Sequence, residues 1–335
     1  MKKALKIIIP VCVIALLAVG AWAYVSFIYA PTDWMVEGDD AVSEVPFEEE
    51  LNSLTMMDNT WETAVPQTEI YSLIKNHFEA PLPAGKTKKK AIVIGYDGCR
   101  VDLFRLLGNS KRSAINHLID GGGQAVFSFC GGVNYPEENV QDTSTAPGWC
   151  SMLTGQWAYT FGLTENYISK PVEPKTLLLE SVETGLCKKS AFYVSWDGHF
   201  NTPNATYNNE KDYIEKNNLN CIFLDAKDDN GTKANILSDL QNEDCSDFIF
   251  STLEYTDHSG HATGFSLQNK RYVNGFRNAE ATGMDIIEAI ESRDTYDTED
   301  WLILITTDHG GIKRNHGGPS FEERITFIVS NKSIE

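Results

Sequence analysis

The sequence is short of cations. Its 28 Lys and Arg face 47 Asp and Glu, for a net charge of -19, and a surface that acidic repels polyanions unless it carries bound cations. A nucleic-acid polymer is therefore not expected as a partner. The 335 residues also lack an internal repeat, a low-complexity tract and any collagen-like or coiled-coil bias. With 25 Gly, 12 Pro and 42% hydrophobic residues, what remains is an ordinary globular chain with enough material for a sizeable core. None of the seven Cys stands in Cys-x-x-Cys spacing, so no cysteine metal site is read.

One apolar run breaks the pattern. Lys2, Lys3 and Lys6 precede an apolar stretch from Ile7 to Ala30, and no acid occurs before Asp33. The run is long enough to cross a bilayer, and the lysines put its start in the cytoplasm. Residues 1–30 are thus expected to be a membrane anchor. The alternative is a cleaved signal peptide ending near Ala21-Trp22-Ala23, which would give a secreted protein. Either way the remainder lies outside the cytoplasm, and it is more acidic still, because the segment holds three Lys and no acid. Cys12 falls in the run, leaving Cys99, Cys130, Cys150, Cys187, Cys221 and Cys245. Six is compatible with disulfides or with buried thiols, and no pairing can be assigned.

Residues 31–87 are acidic and weakly periodic, with Glu48-Glu49-Glu50 and a Pro-rich end at 80–85. They are expected to form a stalk with at most a short helix. Residues 88–335 form the folded domain. It opens with Lys90 to Tyr96, a continuous apolar strand of the kind buried on both faces of a parallel sheet. Further strands are expected at 124–130, 190–196, 221–224, 247–255, 301–306 and 324–329, separated by helical stretches. Among these, Tyr272, Phe276, Ala279, Gly283, Ile286, Ile287 and Ile290 recur at helical spacing. This alternation implies an α/β fold, a three-layer sandwich around a largely parallel sheet.

Four segments stand at or just past strand ends, where open α/β sheets bind their ligands. Asp97-Gly98 ends the most apolar strand; an Asp there also serves as a helix cap. Thr143 to Gly155 leads from a loop into a helix, with Thr145 at or near its start. A hydroxyl at the positive end of a helix caps it, and beside a metal it can become an alkoxide. The strongest signals are Glu254-Tyr-Thr-Asp257-His-Ser-Gly-His261 and Thr307-Asp308-His309-Gly310-Gly311, with His316 just beyond. Four of the seven His fall in these two segments. Carboxylate oxygen and neutral imidazole nitrogen suit zinc or a related divalent ion, and two such clusters can hold a pair of ions.

The order Asp97-Gly98, Thr145-Ala-Pro147, Asp257-x-x-Gly260-His261, Asp308-His309-Gly310 and His316 resembles the alkaline phosphatase superfamily, in particular its type I phosphodiesterase and nucleotide pyrophosphatase branch. The resemblance runs over residues 90–330. It implies an alkaline phosphatase-like metallohydrolase with two divalent metals, zinc by expectation and manganese second, acting on a small phosphate ester. It further implies that Asp257, His261 and His316 hold one metal, and that Asp97, Asp308 and His309 hold the other together with the nucleophile Thr145. Asn166, in Phe161-Gly-Leu-Thr-Glu-Asn166, matches the phosphoryl-oxygen donor. The expected route is attack by the Thr145 alkoxide, a phosphothreonine, and release by water, with helix N–H groups assisting Asn166.

The pattern also departs from that branch. Gly148-Trp149 stands where Asn-His is usual, which changes the substrate edge of the site, and the short gap to His316 is closer to phosphomutases. No Arg follows Thr145 in the sulfatase manner, which argues against sulfate esters. The chain stops just after its last expected strand, where relatives commonly continue with another helix, so a truncated end is expected. Lys313 and Arg314 are near enough in sequence to reach a second phosphate, and Trp149, Trp157, Tyr159 and Phe161 read most simply as core. The rival functions are a phosphomonoesterase or phosphomutase of the same fold, a lipid-linked phosphoethanolamine transferase, and a catalytically silent anchored binding protein.

Overall fold

The computed structural model describes residues 46–54, 58–108, 112–135 and 137–334. The N-terminal segment expected to be an anchor or signal lies outside them, as does the start of the expected stalk. Among the described residues no helix is long and apolar enough to cross a membrane.

Eight strands form one sheet: β1 (Val65–Pro66), β2 (Lys88–Tyr96), β3 (Gln124–Phe129), β4 (Ser190–Val194), β5 (Cys221–Asp225), β6 (Phe248–Leu253), β7 (Glu299–Thr306) and β8 (Ile325–Ser330). Their order across the sheet is β1-β3-β8-β7-β2-β6-β4-β5. Every pairing is parallel except those of β8 with β3 and β7. The largely parallel sheet expected from the apolar runs is therefore present, with one reversed strand.

The pleat explains why β2 and β7 are apolar at successive positions, since alternate side chains enter opposite faces. Ile92, Ile94, Ile303 and Ile305 pack into a core beneath the Lys270–Glu291 helix. Ala91, Val93, Leu302 and Leu304 pack into a second core with the Glu69–Glu79, Thr145–Thr154 and Leu177–Thr184 helices. Two helical layers with a sheet between them make the three-layer sandwich. The stripe from Tyr272 to Ile290 is buried throughout.

The segment 31–87 differs from a stalk where it is described. β1 adds a short parallel strand beside β3, and the Glu69–Glu79 helix buries Ile70, Ile74, His77 and Phe78 against the sheet. Its apolar stripe is a narrow set of residues at four-residue spacing in an acidic stretch, too thin to stand out by periodicity. The six described cysteines are all buried free thiols.

This topology positions the site. β2 lies between β6 and β7, Tyr96 is level with Leu253, and Gly95 is level with Thr306. The residues that follow these three strands therefore emerge side by side at one edge, about 5 Å apart per strand.

Candidate metal centre

Asp97 leaves the end of β2 fully buried, with its backbone N–H donating to Leu253 O at 2.9 Å. Its Oδ2 accepts a hydrogen bond from Trp149 Nε1 at 2.9 Å, and its Oδ1 lies 3.5 Å from Thr145 Oγ1 and 3.6 Å from His309 Nε2. Trp149 is wholly buried beside Gly95, where an added Cβ would come within 2.4 Å of the indole. The missing side chain in β2 is what lets the indole reach under the strand and fix Asp97.

Gly98 has φ +63°, and a Cβ there would lie 2.9 Å from Asp257 Cα. The backbone after β2 thus runs tightly past Asp257, as only glycine allows. Gly98→Ala is expected to cost about 1–2 kcal/mol in left-handed strain alone, to push Asp97 and Asp257 apart, and to weaken zinc binding. A lowered urea midpoint together with a lowered zinc affinity by calorimetry checks this.

Asp257 and His261 lie one turn apart on the Tyr255–Thr263 helix, with Asp257 Oδ2 3.4 Å from His261 Nε2. Such i, i+4 spacing puts two ligands on one face. His316 Nε2 is 3.1 Å from His261 Nε2 and 3.6 Å from Asp257 Oδ1. After β7, Asp308 Oδ2 is 3.3 Å from His309 Nε2, and the His309 and His316 rings stack with centroids 3.9 Å apart. The structure thus brings together all seven residues expected at the metals: Asp97, Thr145, Asp257, His261, Asp308, His309 and His316. Ligand atoms of Asp97, Asp308 and His309 lie within 4.8 Å of one another, and so do those of Asp257, His309 and His316.

The three histidines share one arrangement. Nδ1 lies against a backbone carbonyl in each, Arg314 O for His261 at 2.8 Å, Gly310 O for His309 at 2.7 Å and Thr143 O for His316 at 3.0 Å. A proton on Nδ1 donated to that carbonyl leaves Nε2 with its lone pair toward the carboxylates, the orientation of metal-ligating imidazoles. Burial lowers the pKa of His316 to about 4, with His261 adding to it, and holds His309 well below its usual value, with His316 adding to it. Both shifts favour the neutral imidazole that ligation requires.

Glu254 was quoted in its segment but given no role by the sequence. It is buried, and one of its carboxylate oxygens lies within 4.8 Å of ligand atoms of Asp97 and Asp257. Four carboxylates therefore share one buried centre. Burial first, then the neighbouring acids, raises Asp97 and Glu254 well above the usual range, and burial raises Asp308 likewise and Asp257 to about 6. Asp257 Oδ1, Asp308 Oδ2, His309 Nε2 and Glu254 Oε1 are buried without a hydrogen-bond partner. Buried polar atoms of this kind are costly unless something binds them. Four carboxylates and three imidazoles whose Nε2 atoms face them make a donor set that fits two divalent cations.

Thr145 is the first residue of its helix and Ser144 occupies the cap position. Asn166 Oδ1 accepts from Ala146 N–H at 2.8 Å, which leaves the Asn166 amide N–H groups for a ligand in the pocket that Asn166 and Thr145 both line. The helix itself offers less than expected. The Ala146 N–H is taken by Asn166, Pro147 has none, and the Gly148 N–H donates to Ser144 O, so its first turn contributes at most the N–H of Thr145. The pocket measures about 420 Å³ and contains no Lys or Arg among its lining residues; of the loop that carries Lys313 and Arg314, only Asn315 and His316 line it. The aromatic residues at the pocket are Tyr167 and Trp196, neither of which the sequence singled out. They come from separate loops and meet only through the fold.

A family model described as "Type I phosphodiesterase / nucleotide pyrophosphatase" matches residues 91–317. Curated proteins give no match. Among solved structures, murine ectonucleotide pyrophosphatase / phosphodiesterase 5 is 15% identical with a TM-score of 0.47, the match covering 67% of this chain and 57% of that one. Phosphonate monoester hydrolase of Agrobacterium radiobacter is 12% identical with a TM-score of 0.45, over 73% and 68% of the two chains. Alkaline phosphatase from the Antarctic bacterium TAB5 is 12% identical with a TM-score of 0.42, over 73% and 91%.

Proposed function

Because the chain belongs to the type I phosphodiesterase / nucleotide pyrophosphatase family, a family of phosphoric ester hydrolases, we propose that it cleaves small phosphodiesters with Thr145 as nucleophile beside two divalent cations. The observation that carries this reading is that Thr145 Oγ1 and His309 Nε2 both lie within 3.6 Å of Asp97 Oδ1, at an edge where buried carboxylate and imidazole atoms lack hydrogen-bond partners.

Asp97, Asp308 and His309 would hold one cation and Asp257, His261 and His316 the other, with Glu254 adding the fourth carboxylate. The bound cations, zinc in the first instance and manganese second, supply positive charge that favours the ionised Thr145 hydroxyl and offsets charge on the phosphoryl oxygens. The side chains do the rest. Trp149 fixes Asp97 so that its second oxygen faces Thr145. Thr145 Oγ1 forms a bond to phosphorus as the bond to the departing alcohol breaks, leaving a phosphothreonine. Asn166 N–H groups donate to a phosphoryl oxygen throughout. Water then cleaves the phosphothreonine and restores the hydroxyl, so that two displacements retain configuration at phosphorus. The run Ile7 to Ala30 behind three lysines supports an exported enzyme, anchored in the membrane or secreted after cleavage.

A comparison of bis(p-nitrophenyl) phosphate with p-nitrophenyl phosphate on the full chain tests the reading. Faster turnover of the diester is expected. Turnover of the monoester alone would replace the reading by a phosphomonoesterase or phosphomutase, and turnover of neither by a silent binding protein.

A further inference from the structure

One apolar side chain bears on two of the expected metal ligands. Phe265 is buried just past the Tyr255–Thr263 helix that carries Asp257 and His261. Its ring meets the His261 imidazole at 83° with centroids 5.5 Å apart, and the His316 imidazole at 84° with centroids 6.2 Å apart. Two glycines make room for it. A Cβ at Gly260 would come within 2.4 Å of the ring and one at Gly311 within 2.5 Å, so the ring is wedged between the ligand helix and the loop after β7. Edge-to-face contacts of this kind are attractive and directional, and they limit how the two imidazoles can turn.

The backbone of Phe265 is pinned on both sides. Its N–H donates to Lys313 O at 2.6 Å, and its carbonyl accepts from Arg100 Nη1 at 2.8 Å. Arg100 has a fixed orientation, because Nε and Nη2 donate to the two oxygens of buried Asp102 at 3.1 and 2.7 Å, a bidentate pair that leaves Nη1 for Phe265. The Arg100 N–H donates to Tyr272 Oη at 2.9 Å, which in turn donates to Gly98 O at 2.7 Å. The guanidinium is thereby tied to the loop that carries Asp97. The Phe47 ring lies over it, with its centroid 4.8 Å from the guanidinium carbon.

Asp97, Asp308 and His309 are held without Phe265. Trp149 Nε1 donates to Asp97, Gly98 N–H donates to Asp308 Oδ1 at 3.2 Å, and Thr307 Oγ1 accepts from Cys99 N–H at 3.0 Å and donates to His309 O at 2.8 Å. We propose that Phe265, held in place by the Arg100–Asp102 pair, is a positioning residue for the cation bound by Asp257, His261 and His316. The proposal rests on the two-cation phosphodiesterase reading and names what supports one of its two sites. A buried ion pair adds little stability over a well-packed apolar replacement; this one supplies placement.

The test is a zinc titration of the stripped full chain against a competing chelator, which should resolve two dissociation constants in the wild type. Phe265→Leu keeps an apolar side chain and loses the ring, while Arg100→Met with Asp102→Asn removes the pair without leaving one charge buried alone. Each is expected to raise one of the two constants by about tenfold to a hundredfold, the scale on which groups behind metal ligands act, and to leave the other where it was. In an Asp257→Asn background, which holds only the other ion, Phe265→Leu should leave the remaining constant unchanged. The control is Arg293→Met with Glu299→Gln, a pair as deeply buried at the start of β7, the far edge of the sheet from the site. It should lower the thermal midpoint and leave both zinc constants unchanged. Wild-type constants in Phe265→Leu, or both constants weakened alike in the variants and in the control, would overturn the proposal and leave the phosphodiesterase reading standing. A wild-type chain that binds neither zinc nor manganese would overturn the two-cation reading as well. Should the Arg100 double variant not fold, Phe265→Leu decides.

Discussion

Thr145→Ala is expected to lower phosphodiester hydrolysis by roughly 10⁴-fold or more, the scale on which removing a covalent nucleophile acts, while leaving the fold in place. Thr145 Oγ1 makes one long hydrogen bond, to Asp97 Oδ1 at 3.5 Å, and the helix that begins there is packed through Trp149, Met152 and Leu153. Its loss removes little burial, so the thermal midpoint should shift by no more than a few degrees. Thr145→Ser keeps a hydroxyl at the same place and should retain most of the rate. Incubation of the wild-type protein with a slow diester, quenched in acid, should trap phosphate on Thr145. A Thr145→Ala protein with undiminished activity would show that a water, rather than the side chain, attacks phosphorus.

Removing the cations is expected to have an equally large effect, on stability as well as on rate. With a chelator present, the four buried carboxylates repel one another and favour their protonated forms. The sign follows from linkage. Asp257 has its pKa raised from 3.8 to about 6 in the folded protein, so between these values the folded state binds more protons than the unfolded chain, and stability falls as pH rises through that window. Asp97, Glu254 and Asp308, raised further, carry the same trend to higher pH. His316 opposes it only in acid. Its pKa is lowered from 6.5 to about 4, which costs stability as pH falls below 6.5. The chelated protein should therefore melt higher at pH 6.5 than at pH 8.5, by on the order of 5 °C if one to two kcal/mol is involved. Zinc should reverse the order, because ligation needs ionised carboxylates and neutral imidazoles and is stronger at the higher pH. Hydrolysis should fall to background with the chelator and return with zinc. Melting curves at the two pH values, with and without chelator, check both parts. An identical pH trend in the presence and absence of chelator would contradict the assignment.

Much of the scaffold was legible because its signals are local. β2 and β7 read as strands since each is apolar at successive positions, which only burial on both faces explains. The Lys270–Glu291 helix showed itself through the stripe from Tyr272 to Ile290. The helix at Glu69–Glu79 stayed hidden because so few apolar residues define its buried face. At the site, Asp97, Thr145, Asp257, His261, Asp308, His309 and His316 could be named because each sits in a short segment rich in ligand chemistry at a strand end. Glu254 lay in one of those segments, but a carboxylate beside an Asp gives no sign of whether it turns inward. Trp149 was read as core, which its burial matches, yet its indole N–H also orients Asp97; that bond depends on Gly95 in a strand far away in sequence. Tyr167 and Trp196 have no common pattern at all. Their loops are brought together by long-range packing, which periodicity and spacing do not encode.

The most direct test is the number of cations held per chain. Protein stripped with a chelator, reloaded with zinc and freed of excess by gel filtration should carry two zinc ions by elemental analysis, and Asp257→Asn should carry one while Thr145→Ala still carries two. A wild-type chain that hydrolyses diesters at full rate with fewer than one bound ion would contradict the account.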